Sequence, residues 1–204
     1  MDMEASAIVL AGGQSRRLGM DKTALRIGGK TMLARTVELV ASFCREVVIV
    51  TNTPETHSHP LARSVSDIFP GKGVLGGIYS GLAVARCSCA VVVAADMPFL
   101  NRALLLHLVS RAGEADVVAP VVGGQAEPLH AVYRDTCLTP MRRQLLGAGA
   151  PRIISFFPDV RVCEVGEDEM RAFDAELLSL FNVNTPVDLE RAQTILRQQG
   201  LDVA

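Results

Sequence analysis

No stretch of this 204-residue chain is long and apolar enough to span a membrane; its hydrophobic residues, 49% of the total, come in short runs. Nor does any C-x-x-C spacing occur. The five cysteines, Cys44, Cys87, Cys89, Cys137 and Cys163, are odd in number and scattered, several of them in apolar segments where a reduced thiol is an ordinary core residue. A disulfide framework is therefore not expected, and a reducing, cytoplasmic setting is. The opening Met-Asp-Met-Glu is short and acidic, unlike a secretory signal. Net charge is small, −2, so the chain has no general attraction for nucleic acid or anionic membranes, and any bound anion must be gripped by a local cluster.

The opening glycine-rich loop matches none of the better-known phosphate-binding signatures. No G-x-x-x-x-G-K-[ST] phosphate loop is present, because Gly29-Lys30-Thr31 lacks the earlier glycine. The Gly12-Gly13-Gln14 order does not supply the G-x-G-x-x-G of a dinucleotide turn, and no G-x-S-x-G elbow supports serine-hydrolase chemistry. Repeats, low-complexity segments and long linkers are absent too, which predicts one domain over residues 1–204.

What is there begins with Ile8-Val-Leu-Ala-Gly-Gly-Gln-Ser-Arg-Arg-Leu-Gly-Met-Asp-Lys22. The apolar run from Ala7 to Ala11 has the length of a buried strand. It stops at Gly12-Gly13, where backbone can pass close to a ligand with no Cβ in the way. Arg16, Arg17 and Lys22 follow within the next nine residues. Exposed N–H groups surrounded by cations are the parts needed to hold a polyphosphate.

Further strands are read at Glu46–Asn52, Ser64–Asp67, Ala90–Ala95, Asp116–Ala119, Glu127–Tyr133 and Val160–Val165. Between them lie helices capped by Thr31, Asn101 and Thr185, another starting at Asp135, and one from Leu75 to Arg86 packed through Gly76, Gly77, Ala83 and Ala85. Pro151 opens a short helix to Phe157, and a mixed acidic stretch follows Val165. Alternating strands and helices imply an α/β sheet covered on both faces, whose ligands bind beyond the carboxyl ends of the strands. Those ends carry Gly12-Gly13, Thr51-Asn52 and Asp96.

Asp96 follows six apolar residues and so stands at the lip of a buried strand, where Mg²⁺ bridging to phosphate oxygens would supply the partner it needs. A turn or cap aspartate is the alternative. Asp67 could support a ligand or make an Asx turn, and Asn52, Asn182 and Asn184 could read a base edge or hold backbone. His57-Ser-His59 lacks a third ligand nearby and reads as a solvated loop. His107 reads as structural, and His130 could face a pocket or the core. No obvious nucleophile or base stands out, which suits phosphoryl or nucleotidyl transfer, since that chemistry needs mainly positioning and charge neutralisation.

Together, residues 10–22, Pro70–Leu82, Ala95-Asp-Met-Pro98, Glu127-Pro-Leu-His-Ala-Val-Tyr133 and Phe181-Asn-Val-Asn-Thr-Pro-Val-Asp-Leu189 resemble the molybdenum cofactor guanylyltransferase (MobA) family. The resemblance spans nearly the whole chain. It implies a three-layer αβα sandwich with a mostly parallel twisted sheet, a Rossmann variant like that of nucleotide-diphospho-sugar transferases. It further implies transfer of GMP from MgGTP to molybdopterin, giving the guanine dinucleotide cofactor and pyrophosphate. By the same resemblance Leu10, Ala11, Gly12 and Gly13 contact the nucleotide, Lys22 neutralises its phosphates with Arg16 assisting, Asn52 and Asp67 help hold GTP, and Asp96 binds Mg²⁺. Asn182 and Asn184 would lie near the pterin or the metal. The part up to about residue 100 would bind nucleotide and the rest the acceptor, with molybdenum-insertion and molybdoenzyme-maturation proteins as expected partners. One departure is Gly73-Val-Leu-Gly76, where the family pattern has proline after the first glycine; Val74 leaves that turn less rigid. A related cytidylyltransferase, another nucleotidyltransferase using a phosphorylated acceptor, and a non-catalytic nucleotide-binding module are the alternatives.

Overall fold

The computed structural model describes residues 4–12 and 22–199. Its central strand is β1, Ser6–Leu10. After a 3-10 turn, Lys22–Ala24, and a hairpin of β2, Arg26–Ile27, and β3, Lys30–Thr31, the chain enters α1, Met32–Ala41. Then come β4, Glu46–Thr51, β5, Arg63–Ser66, α2, Val74–Val84, β6, Cys89–Ala94, and α3, Arg102–Ser110. The remainder supplies β7, Val117–Val122, β8, Gln125–Ala126, β9, His130–Arg134, α4, Leu138–Leu145, β10, Val162–Val165, α5, Glu167–Arg171, and α6, Pro186–Gln198.

The main sheet runs in the order β10-β7-β9-β6-β1-β4-β5. β1 pairs in parallel with both β4 and β6, and β5 and β10 also join in parallel. β9 runs antiparallel to both of its neighbours, so the sheet is mixed but mostly parallel. Side chains alternate across it. Val9, Ile49, Val91, Val93 and Val132 face a core shared with α1 and α3, while Ile8, Val48, Val50 and Val92 face one shared with α2 and α4. Three layers result. Met32, Val183, Ala192 and Leu196 form a smaller cluster that seats α6 against the β2–β3 hairpin.

The helix starts follow from capping chemistry. The Thr31 and Asn101 side chains accept from Ala34 and Leu104 N–H, and Thr185 forms a reciprocal capping box with Asp188. His107 is structural, as read: its Nε2 lies 2.7 Å from Glu169 Oε1 and its ring stacks on Phe173.

Three readings need correction. Glu127–Tyr133 is not one strand. β8 ends at Ala126 and β9 begins at His130, with a turn between them, because Pro128 brings no N–H to a ladder. The acidic stretch after Val165 contains α5, anchored by buried Met170. And α2 does not pack through Ala83, which is exposed, but through Gly76, Gly77 and Gly81. A Cβ on Gly81 would stand 2.5 Å from Ile8 Cγ2 on the central strand. Gly81→Ala is therefore expected to destabilise: overpacking costs about 1–3 kcal/mol, more than the roughly 1 kcal/mol of helix propensity gained. A urea titration showing the variant as stable as wild type would refute this.

Candidate active site at the carboxyl edge of the sheet

Strands β4, β1 and β6 rise to one edge in register, Leu10 standing beside Val50 on one side and Ala94 on the other. The ladder runs one step further: Ala11 N–H donates to Val50 O at 2.9 Å, and Ala95 N–H to Leu10 O at 3.0 Å. Ala11 is buried and its N–H is spent, so it can meet a ligand only through its carbonyl. Leu10 leans over α2, where a Cβ on Gly77 would come 3.3 Å from its Cδ2. Gly12, exposed, is where the chain leaves the sheet. Gly13 and Arg16 lie outside the described residues, as does the Lys22 side chain.

Thr51 and Asn52 end β4, Asn52 exposed and Thr51 buried. His57 is also buried, not solvated as the sequence suggested. Its Nδ1 lies 2.6 Å from Thr51 Oγ1 and its Nε2 2.9 Å from Thr23 Oγ1. The imidazole thus ties the residue next to Lys22 to the end of β4. No local pattern announces this, because the bridge to Thr23 joins residues far apart in sequence; the His59 ring by contrast accepts from Leu61 N–H within its own turn. His57→Ala is expected to lower unfolding free energy by about 2 kcal/mol, since two buried hydroxyls lose a partner, measured by urea denaturation.

Asp67 makes the Asx turn: Oδ1 accepts from Phe69 N–H at 2.9 Å and lies 2.8 Å from Ser80 Oγ. Its Oδ2 crowds Gly76, where a Cβ would stand 3.1 Å away, so α2 begins hard against this carboxylate. No hydrogen bond occupies Oδ2 among the described residues, which leaves that oxygen able to meet a ligand.

Asp96 is half-buried beyond β6. Its carbonyl accepts from Val183 N–H at 3.0 Å, which brings Asn182 and Asn184 to the same edge across more than eighty residues of sequence. Phe181 packs against Phe99 at 5.8 Å and lies under Arg191, fixing this returning segment. Asn182 Nδ2 donates to Leu180 O, and Asn184 N–H donates to Asp188 Oδ2.

One residue the sequence reading quoted but gave no role stands nearby. β6 and β9 are antiparallel with Val93 opposite His130. Ala94-Ala95-Asp96 on one chain and Glu127-Pro128-Leu129 on the other therefore climb the same edge. Burial pushes the Glu127 carboxyl above the usual carboxylate range. A groove of about 690 Å³ opens beside this edge, lined by Arg35, Thr36, Met97, Phe99 and Asn101. Among the described residues its lining includes none of the predicted site residues.

Among the described residues no group of three or more His, Cys, Asp or Glu gathers to cage a metal. A half-buried carboxylate at this edge suits Mg²⁺, which takes one or two carboxylates and completes its shell with water and phosphate oxygens.

A MobA-like NTP transferase domain model matches residues 7–162. A probable molybdenum cofactor guanylyltransferase of Natranaerobius thermophilus is 36% identical, the match covering 96% of this chain and 98% of that one. One from Chloroflexus aggregans is 38% identical, covering 95% and 96%. Among solved structures, molybdopterin-guanine dinucleotide biosynthesis protein A from Archaeoglobus fulgidus superposes with a TM-score of 0.83 at 31% identity, over 95% of this chain and 99% of that one. A nucleotidyl transferase from Methanothermobacter thermautotroptrophicus, at 19% identity and TM-score 0.75 over 96% and 99%, shares the fold. With a matching model over most of its length and relatives aligned nearly end to end, the chain belongs to the MobA-like NTP transferase family.

Proposed function

We propose that this protein transfers GMP from MgGTP to molybdopterin, forming molybdopterin guanine dinucleotide and pyrophosphate. The observation that carries the reading is Asp96, a half-buried carboxylate one strand over from the Gly12 turn, with the 182–184 segment docked on it. The near full-length similarity to proteins named for this activity supports it.

The acceptor's phosphate oxygen attacks the α-phosphorus of GTP, and the bond to pyrophosphate breaks. A phosphate monoester is largely ionised at neutral pH, so no general base is needed. The chain's task is to hold and neutralise. Asn52 and Asp67 Oδ2 orient the nucleoside, Gly12 and Gly13 let backbone approach the phosphates, and Lys22 and Arg16 offset their charge. Asp96 would hold Mg²⁺, which supplies further neutralisation at the α-phosphate when bound. Residues up to about 100 serve the nucleotide and later ones the acceptor. Molybdenum-insertion and molybdoenzyme-maturation proteins are its expected partners.

A cytoplasmic location suits the thiols. All five cysteines are free, and burial pushes Cys44 and Cys137 up to about 12 and Cys89 to about 11, so none of these three is a ready thiolate. Among the described residues no helix is long and apolar enough to cross a membrane. Incubation with molybdopterin and MgGTP or MgCTP tests the function: dinucleotide product is expected from GTP, and product from CTP alone would overturn the reading.

A further inference from the structure

Glu127 is held on a turn fixed at three points. Its N–H donates to Pro120 O at 2.8 Å, its carbonyl accepts from His130 N–H at 3.1 Å, and Tyr133 Oη donates to Pro128 O at 2.8 Å. The backbone is thus rigid, while among the described residues the half-buried carboxylate has no hydrogen bond or ion pair. An ionised carboxylate shielded from water and left unanswered is costly. Such a group, preorganised on a rigid support at the edge of a site, is suited to a ligand that brings its own N–H donors.

Resting on the function proposed above, we propose that Glu127 reads the acceptor by accepting paired hydrogen bonds from the 2-amino-4-oxopyrimidine edge of its pterin. That edge presents a ring N–H and an amino N–H side by side, matched to the two oxygens of one carboxylate. Guanine carries the same edge, and position in the sheet distinguishes the two. Gly12, Asn52 and Asp67 follow β1, β4 and β5, all on one side of β6 and Asp96, whereas the 127–130 turn leads into β9 on the other side. In an in-line displacement at a phosphorus held beside Asp96, the attacking and leaving groups lie on opposite sides of it. A nucleotide spread over β1, β4 and β5 therefore leaves the β9 side to the acceptor.

The test compares wild type with Glu127→Gln, which keeps the size but replaces one acceptor oxygen with a donor. The expected result is an acceptor KM raised about tenfold to a hundredfold, with kcat at saturating acceptor, KM for GTP, Kd for MgGTP and melting temperature unchanged. An unchanged acceptor KM would overturn the proposal. So would a shift confined to GTP or to the Mg²⁺ requirement, which would make Glu127 a guanine reader or a metal ligand. A second arm uses wild type alone, so it does not depend on the variant folding: free pterin, followed by its own fluorescence, is expected to bind about tenfold tighter than lumazine, whose amino group is replaced by oxygen. Equal binding counts against the proposal. Absence of any guanylyl product from wild type would instead defeat the function itself, and the pterin reading with it.

Discussion

Asp96→Ala is expected to slow guanylyl transfer by about a thousandfold while leaving the melting temperature within a few degrees of wild type. The contact that docks the 182–184 segment is made by the Asp96 backbone carbonyl, which alanine retains. The carboxylate is half-buried at the edge of the sheet rather than within the core, so its removal leaves no apolar cavity. Its loss should fall on charge neutralisation in the transition state, where one preorganised group is worth about 3–4 kcal/mol. Asp96→Asn keeps the shape and discards the charge, and should lose almost as much. Single-turnover rates with MgGTP and molybdopterin, set beside thermal melts, check both; a normal rate in either variant would refute the placement of the metal.

The second large effect is on stability against pH. His130 is fully buried in β9, and neither ring nitrogen has a hydrogen-bond partner among the described residues. Burial lowers its pKa from 6.5 to about 4, opposed only by the field of Asp174. The unfolded chain therefore binds a proton that the folded chain refuses. This contribution is fully present above the unfolded value of 6.5 and is lost progressively as pH falls from there to about 4. Between pH 7 and pH 5 the loss amounts to about 2 kcal/mol. His130→Leu, close in volume and with nothing to protonate or leave unpaired, should flatten the pH dependence over that interval. Urea titrations at the two pH values decide; equal slopes in wild type and variant would refute it. Asp116, held down to about 2 chiefly by its hydrogen bond from Arg161, titrates in a lower window and does not mimic the effect.

Features that depend on neighbours in sequence were legible. Thr31, Asn101 and Thr185 announce their helices because a cap is a contact over two or three residues. The runs at Ala7–Ala11 and Ala90–Ala95 announce buried strands, and their carboxyl ends locate the edge where Gly12, Asn52 and Asp96 gather. What escaped depends on distant contacts. Nothing around His57 shows that it will sit between Thr51 and Thr23. Nothing around Ala83 shows that α2 turns Gly81 toward Ile8 instead. Pro128 could have warned that Glu127–Tyr133 is broken, yet only the sheet shows where the broken piece lies.

The antiparallel insertion of β9 has a consequence for how the chain comes off the ribosome. By the time β6 is made, β1, β4 and β5 already exist, and those four strands can assemble with α2 as an N-terminal unit. β7 emerges next, but its partners β8, β9 and β10 all lie later in the sequence. Apart from its short hairpin with β8, it must wait until β9 arrives to be laid between it and β6, and only then does the growing edge of the first unit close. Nascent chains halted between β7 and β9 should therefore be the stage at which this protein most needs a chaperone.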